Sequence, residues 1–198
     1  VRDPLPDDSP FYVLMEVSTT RRGDNGQSPV DVLEGALAQA FERGLATDAL
    51  IAQSEQQRAD FWKIREQAPE ALQRIGPRIS WDVTLPLSAL PDFYAAAEKK
   101  MAEVAPHVGF YGFGHMGDGN LHYLATSDDI KDMKEVLDRA LYDLVVSYDG
   151  SFSAEHGIGQ KRTTELERYK SPVEYKLMQA LKAAIDPDGR MNPGKVLS

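Results

Sequence analysis

The sequence predicts an α+β fold: a mostly antiparallel sheet with helices packed on one face. Three observations carry this expectation. Segments of strand composition and segments of helical periodicity alternate along the chain, with no internal repeat and no low-complexity run. The glycine-rich stretch 112–122, GFGHMGDGNLH, joins two strand-like segments by a turn and so makes an antiparallel hairpin. A chain of 198 residues is also long enough to bury a core that needs no covalent staple.

Residues 1–10 hold three prolines and three aspartates and read as a linker, with residues 11–198 forming one domain. Residues 11–18, FYVLMEVS, are rich in aromatic and β-branched side chains and are the expected first strand. A polar loop over 19–27 follows. Ser28, Pro29 and Asp31 supply an N-cap, a first-turn proline and an acidic residue three after the cap. Val32, Leu33, Ala36, Leu37, Ala40 and Phe41 give that helix one apolar stripe, and Gly44 is placed to end it. Residues 45–53 are the expected return strand of a βαβ-like unit. A second helix runs from Ser54 at least to Ala68 and carries Phe61, Trp62, Ile64 and Arg65, with Pro69 set to kink or split it.

Residues 79–86, ISWDVTLP, alternate as a strand that stops at its proline. Another capped helix covers 88–104. The hairpin comes next, with strands over 108–113 and 121–126. Residues 130–148 are helical, with Met133, Val136, Leu137, Leu141 and Leu144 inward and Asp149-Gly150 as the stop. Residues 151–155 form a short strand that leads into HGIGQKR. The last helix begins at Ser171-Pro172 and ends near Asp186-Pro187, before the tail RMNPGKVLS.

Composition narrows the function classes. With no cysteine, the chain holds no disulfide, no thiolate zinc site and no iron-sulfur cluster of its own, which fits a reducing compartment. Lys+Arg of 22 against Asp+Glu of 31 gives a net charge of -9 with no basic block, a poor surface for nucleic acid or anionic membrane. The longest apolar run is far short of the roughly 20 residues of a membrane span. No signal or transit peptide is visible, so the cytoplasm is the expected compartment. The chain begins at Val1 without an initiator methionine, which points to a piece of a longer polypeptide.

Residues 112–122 concentrate four glycines, two histidines, an aspartate and an asparagine. In an unbroken strand, the seven-residue separation of His115 and His122 puts the two imidazoles on opposite faces. On a helix they would share a face, but the glycines argue against a helix. They converge only if MGDG turns the chain. His115, His122 and Glu155, with His156 beside them, are candidate metal ligands, because two imidazoles and a carboxylate with one open position hold catalytic divalent ions. Two nearby histidines and a distant glutamate also occur by chance. The balance moves toward a site because three of the four histidines fall in two glycine-punctuated segments; His107, after Pro106, reads as solvated. Arg65 is either a surface arginine packed on Trp62 or a bidentate carboxylate clamp. Lys161 and Arg162 add to an anion site or face water, and MNPGK alone reads as a Pro-Gly turn.

Three segments in this order and spacing, GHMGDGNLH, SAEHGIGQKR and MNPGKVL, resemble the C-terminal half of FAD-linked oxidases of the vanillyl-alcohol oxidase superfamily. The nearest likeness is to the D-2-hydroxyglutarate dehydrogenase, D-lactate dehydrogenase and glycolate oxidase flavin-subunit group. FYVLMEVS, WKIRE and WDVTLPLSALPDFY resemble earlier landmarks of the same half, so the likeness covers nearly the whole chain. It implies a ferredoxin-like cap domain in which His115, His122 and Glu155 hold a divalent metal, usually zinc. His156 matches the proposed general base and Arg65 the residue that pairs with the substrate carboxylate. Asn120 and Asn192 are the candidate cofactor contacts. The implied reaction oxidises a small D-2-hydroxy acid: the metal lowers the hydroxyl pKa, a neutral histidine takes the proton, and the α-hydrogen leaves as hydride to flavin N5.

The resemblance also implies partners: an FAD-binding domain of the same polypeptide, a downstream electron acceptor, and a second copy in a homodimer. Without the FAD-binding domain the chain is not expected to hold FAD tightly or to turn over. Members acting on D-2-hydroxyglutarate place a threonine near Pro69 and a lysine near Ser80; this sequence has neither, which argues against a five-carbon diacid. The residues by themselves leave two other readings open, a free-standing metal-dependent hydrolase and a ferredoxin-like binding module without catalysis.

Overall fold

A computed structural model describes residues 4–19 and 28–197. They divide into two compact units, the first ending at Arg74 and the second beginning at Ile75. The expected loop over 19–27 falls, apart from its first residue, outside the described residues.

In the first unit, α1 spans Pro29–Glu42 and starts as the sequence predicts. Ser28 Oγ accepts the Asp31 N–H at 3.1 Å, and the Asp31 carboxylate accepts the Ser28 N–H at 3.0 Å, a reciprocal capping box. Gly44, at φ +66°, closes the helix. The predicted stripe is narrower than expected: Leu33, Leu37 and Ala40 are half-buried, while Val32 and Phe41 are exposed. Helix α2, Glu55–Gln73, is capped by Ser54 and runs on through Pro69 instead of splitting there. Proline removes one main-chain hydrogen bond, and four residues of helix still follow it.

The strands expected at 11–18 and 45–53 do not form, and neither does the βαβ-like unit. Phe11 and Val13 are each 68% exposed and Leu45 is 67% exposed. Strand composition is not enough where no neighbouring strand takes up the backbone groups. Residues 11–18 are tied to α2 by a side chain instead. Glu16 accepts the Trp62 indole N–H and pairs with Arg58 at 3.3 Å.

The second unit holds the sheet. Strands β1 (Arg78–Thr84), β2 (Gly109–His115) and β3 (Asn120–Thr126) pair antiparallel in the order β1-β3-β2. Register places Trp81 opposite Tyr123 and Val83 opposite Leu121. Alternation therefore gives one apolar face, Trp81, Val83, Tyr123 and Ala125. These residues join one core with Phe93, Ala97 and Met101 of α3 (Leu90–Val104) and with Leu137, Leu141 and Val145 of α4 (Lys134–Ser147). Burial of each large side chain contributes about 1.5–3 kcal/mol. This is the α+β arrangement expected, with the sheet's apolar face covered by helices.

Details of the helices differ from expectation. A 3-10 turn over Leu87–Ala89 precedes α3, so the helix starts at Leu90 and Ser88 does not cap it. Helix α4 begins four residues later than expected, and Val136 is 47% exposed because the buried stripe runs through Leu137, Ala140, Leu141 and Val145. Helix α5, Thr163–Tyr169, escapes sequence reading because seven residues with one buried leucine carry too little periodicity. Helix α6, Pro172–Ile185, is as predicted, with Ser171 Oγ accepting the Glu174 N–H at 3.2 Å.

One buried polar atom without a partner among the described residues lies within the apolar core. The Tyr123 hydroxyl is buried with no hydrogen-bond partner, and burial pushes its pKa up. Removing an orphaned hydroxyl relieves a desolvation cost, so Tyr123→Phe should leave stability unchanged or raise it by about 1 kcal/mol, read as an equal or higher Tm.

Candidate metal and substrate site

The face of the sheet away from the helices carries the candidate site residues. Register pairs His115 with Asn120 and Phe113 with His122 across β2 and β3, and Asp82 with His122 across β1 and β3. Paired residues share a face, and so do residues two apart on one strand. Asp82, Phe113, His115, Asn120 and His122 therefore project to one side. The turn over residues 116–119 cancels the odd separation of the two histidines, as the sequence requires. Their ring centroids lie 6.3 Å apart at 80°, and the Phe113 ring lies 5.2 Å from that of His122.

Glu155 reaches the histidines along the outer edge of β1. Thr84 and Ser151 exchange two backbone hydrogen bonds of 3.0 and 2.8 Å, and the Ala154 N–H donates to the Asp82 carbonyl at 3.2 Å. The ladder then stops. The next two N–H groups, of Glu155 and His156, donate to Asp82 Oδ2 at 2.9 and 3.4 Å. The strand expected at 151–155 is thus a single bridge, because a side-chain carboxylate takes the donors that a ladder would use.

Ligand atoms of His115, His122 and Glu155 lie within 4.8 Å of one another, with His122 half-buried and the other two exposed. Bond lengths of about 2.0–2.2 Å to a tetrahedral ion place its ligand atoms about 3.3–3.6 Å apart. Small side-chain rotations close that gap. Both the donor set and the spacing fit a divalent cation with a position open to another ligand.

Asp82 is the residue that sequence reading missed. It is 5% exposed, and its Oδ1 accepts the Asn120 amide at 2.8 Å and lies 3.8 Å from His122 Nδ1. Burial pushes its carboxyl up, but the Glu155 N–H, the Asn120 amide, the His156 N–H and the nearby His156 together outweigh that and hold it below the ordinary aspartate value. The available signal was an acidic residue between the apolar Trp81 and Val83 of a strand.

Residues 1–196 match the family described as FAD linked oxidases, C-terminal domain. The chain belongs to that family. This FAD-linked oxidase domain is 34% identical over 198 residues to the mitochondrial D-2-hydroxyglutarate dehydrogenase of Arabidopsis thaliana, covering 100% of the chain and 34% of the relative. It is 38% identical over 191 residues to the mitochondrial D-2-hydroxyglutarate dehydrogenase of Rattus norvegicus, covering 96% and 35%. It is 33% identical over 201 residues to the D-2-hydroxyglutarate dehydrogenase of Stutzerimonas stutzeri, covering 98% and 42%. The chain thus spans about a third to two-fifths of these relatives' lengths.

The remaining landmarks of the FAD-linked oxidase domain fall as follows. His156 is exposed and anchored by its backbone. Arg65 stands half-buried on α2, in the first unit. Asn120 is 4% exposed; its amide is engaged by Asp82, and its Oδ1 is buried without a partner. Asn192 is exposed at φ 47°, and its carbonyl accepts the Lys195 N–H at 3.3 Å. Lys161 is exposed and Arg162 half-buried. His107, expected to be solvated, is exposed, and its Nε2 lies 3.1 Å from Asp129 Oδ2. The tail is built into the site's second segment, since the Val196 N–H donates to the Gly159 carbonyl at 2.8 Å.

Asp186 organises the start of that tail. It accepts the Arg190 and Met191 N–H groups at 2.8 Å each and pairs with Lys182. The Lys182 ammonium and then the Met191 N–H hold its carboxyl below the ordinary value; burial opposes them, and the Arg190 N–H assists. A depressed folded-state pKa gives stability that is present above the unfolded value and lost as pH falls through the folded one. Asp186→Asn should therefore lower Tm at neutral pH and flatten its decline below about pH 4. A parallel decline in both proteins would dismiss this role.

Proposed function

We propose that this domain is the substrate- and metal-binding part of an FAD-dependent dehydrogenase that oxidises a D-2-hydroxy acid to the 2-oxo acid. The observation that carries the reading is the convergence of His115, His122 and Glu155, from two separate segments, within 4.8 Å, with His156 adjoining. When bound, a divalent ion such as zinc acidifies an α-hydroxyl, and FAD, held by a portion of the polypeptide outside this chain, accepts two electrons. His156 accepts the hydroxyl proton. Its imidazole is exposed while its backbone is fixed, so the base is positioned without being shut off from substrate. Arg65, in the first unit, keeps the role that the resemblance implies for it, pairing with a substrate carboxylate, a task suited to its planar fork. Asn192, exposed in the tail turn, is the proposed flavin contact, whereas the Asn120 amide is engaged by Asp82.

The relatives' names favour D-2-hydroxyglutarate as substrate, and Pro69 and Ser80 favour a smaller acid. Comparing D-lactate with D-2-hydroxyglutarate in the protein joined to its FAD-binding portion decides between them. The metal reading is tested on the chain itself by elemental analysis. About one divalent ion per chain is expected in the wild type and little in His122→Ala; equal metal in both removes His122 from the ligand set.

A further inference from the structure

We propose that Asp82 is the positioning residue of the site, the group that joins the hairpin carrying His115 and His122 to the segment carrying Glu155 and His156. The inference rests on reading those residues as a metal and proton-transfer set. Glu155 and His122 come from segments far apart in sequence, and only a few bonds fix the distance between them. Asp82 supplies several of these. One oxygen holds the Glu155 and His156 N–H groups, at 2.9 and 3.4 Å. The other holds the Asn120 amide at 2.8 Å and lies 3.8 Å from His122 Nδ1. Asp82 is also the cross-strand partner of His122, so the same residue sets the imidazole's neighbour and the carboxylate's backbone.

Both oxygens of Asp82 act as acceptors, and its approaching groups are donors apart from the ambiguous imidazole nitrogen. A carboxylate alone satisfies such a ring on both sides; an amide of the same shape turns one acceptor into a donor facing another donor. The carboxylate is buried at 5% exposure, so water does not replace the lost partner. Outer partners of metal ligands set affinity through orientation, typically by ten- to a hundredfold.

The test uses Asp82→Asn in the 198-residue chain, compared with Met101→Ala, a core change on α3. Co2+ binding is followed through its visible spectrum, and hydrogen exchange is followed at the Glu155 and His156 amides in metal-free protein. The expected result for Asp82→Asn, well below its own Tm, is about a ten- to hundredfold weaker Co2+ affinity with an altered band shape, and faster exchange at both amides. Met101→Ala should be destabilised while keeping wild-type affinity, spectrum and local protection. Wild-type exchange at both amides in folded Asp82→Asn overturns the proposal, as does an unchanged cobalt spectrum and affinity. If Asp82→Asn does not fold, Asn120→Ala gives a second reading: removing one donor should weaken Co2+ binding several-fold and leave the Glu155 amide protected, and unchanged binding counts against the proposal. If the wild-type chain binds no Co2+, the metal reading fails, while altered exchange still supports Asp82 as the clamp.

Discussion

Gly119→Ala should destabilise the second unit by about 3–5 kcal/mol, read as a lower urea midpoint at an unchanged slope. Gly119 sits at φ +72°, a backbone region that costs an L-residue about 1–2 kcal/mol. An added Cβ would lie 2.0 Å from the Leu85 carbonyl oxygen, which is backbone and does not rotate away. Relieving that overlap moves the chain following β1 and breaks the 3.1 Å bond from the Leu85 N–H to the Gly119 carbonyl. The neighbouring 3.1 Å bond from Thr84 Oγ1 to the Asp118 carbonyl goes with it. Gly117→Ala is the control, since Gly117 has no positive φ and a Cβ there meets nothing within 4 Å. It should stay within about 0.5 kcal/mol of wild type. Equal effects at the two positions would show that turn flexibility in general, and not close approach at Gly119, governs the hairpin.

This contrast shows what kind of information the sequence holds. The hairpin was legible because its determinants are local: glycines, Asp-Gly and Gly-Asn pairs, and a strand on either side. Once it is accepted, the faces of His115 and His122 follow from register alone. The caps at Ser28 and Ser171 were legible for the same reason, each being settled within three residues. Asp82 was not. Its partners Asn120 and Glu155 are 38 and 73 residues away, and no local pattern reports such a meeting. Residues 11–18 and 45–53 fail in the opposite sense: their composition suits a strand, but a strand is a relation between segments, and no described neighbour completes it. The candidate ligand set lies between these cases. Its histidines were readable from the hairpin and Glu155 from a motif, but the reason Glu155 arrives, the carboxylate of Asp82 taking its N–H, is visible only in the fold.

Glu155→Ala and His156→Ala should separate two roles that adjoin in sequence. Both side chains are exposed, and the bonds these residues make to Asp82 run through backbone N–H groups that alanine retains. Neither substitution should therefore change the free energy of unfolding by more than about 0.5 kcal/mol. If Glu155 is a ligand, its removal takes one of three donors from the ion. Loss of an outer partner already weakens binding by ten- to a hundredfold, so loss of a direct donor should exceed about a hundredfold in zinc affinity. His156→Ala should keep zinc at the wild-type level. If the proposed function holds, both variants, in the protein joined to an FAD-binding portion, should lose flavin reduction by a D-2-hydroxy acid. The His156→Ala loss, about 10²–10⁴-fold, is the range expected of a missing general base. Zinc retained by Glu155→Ala would leave two histidines as the whole protein contribution and remove the carboxylate from the site. Zinc lost from His156→Ala would move His156 from proton acceptor to ligand, and the base would then have to be sought elsewhere.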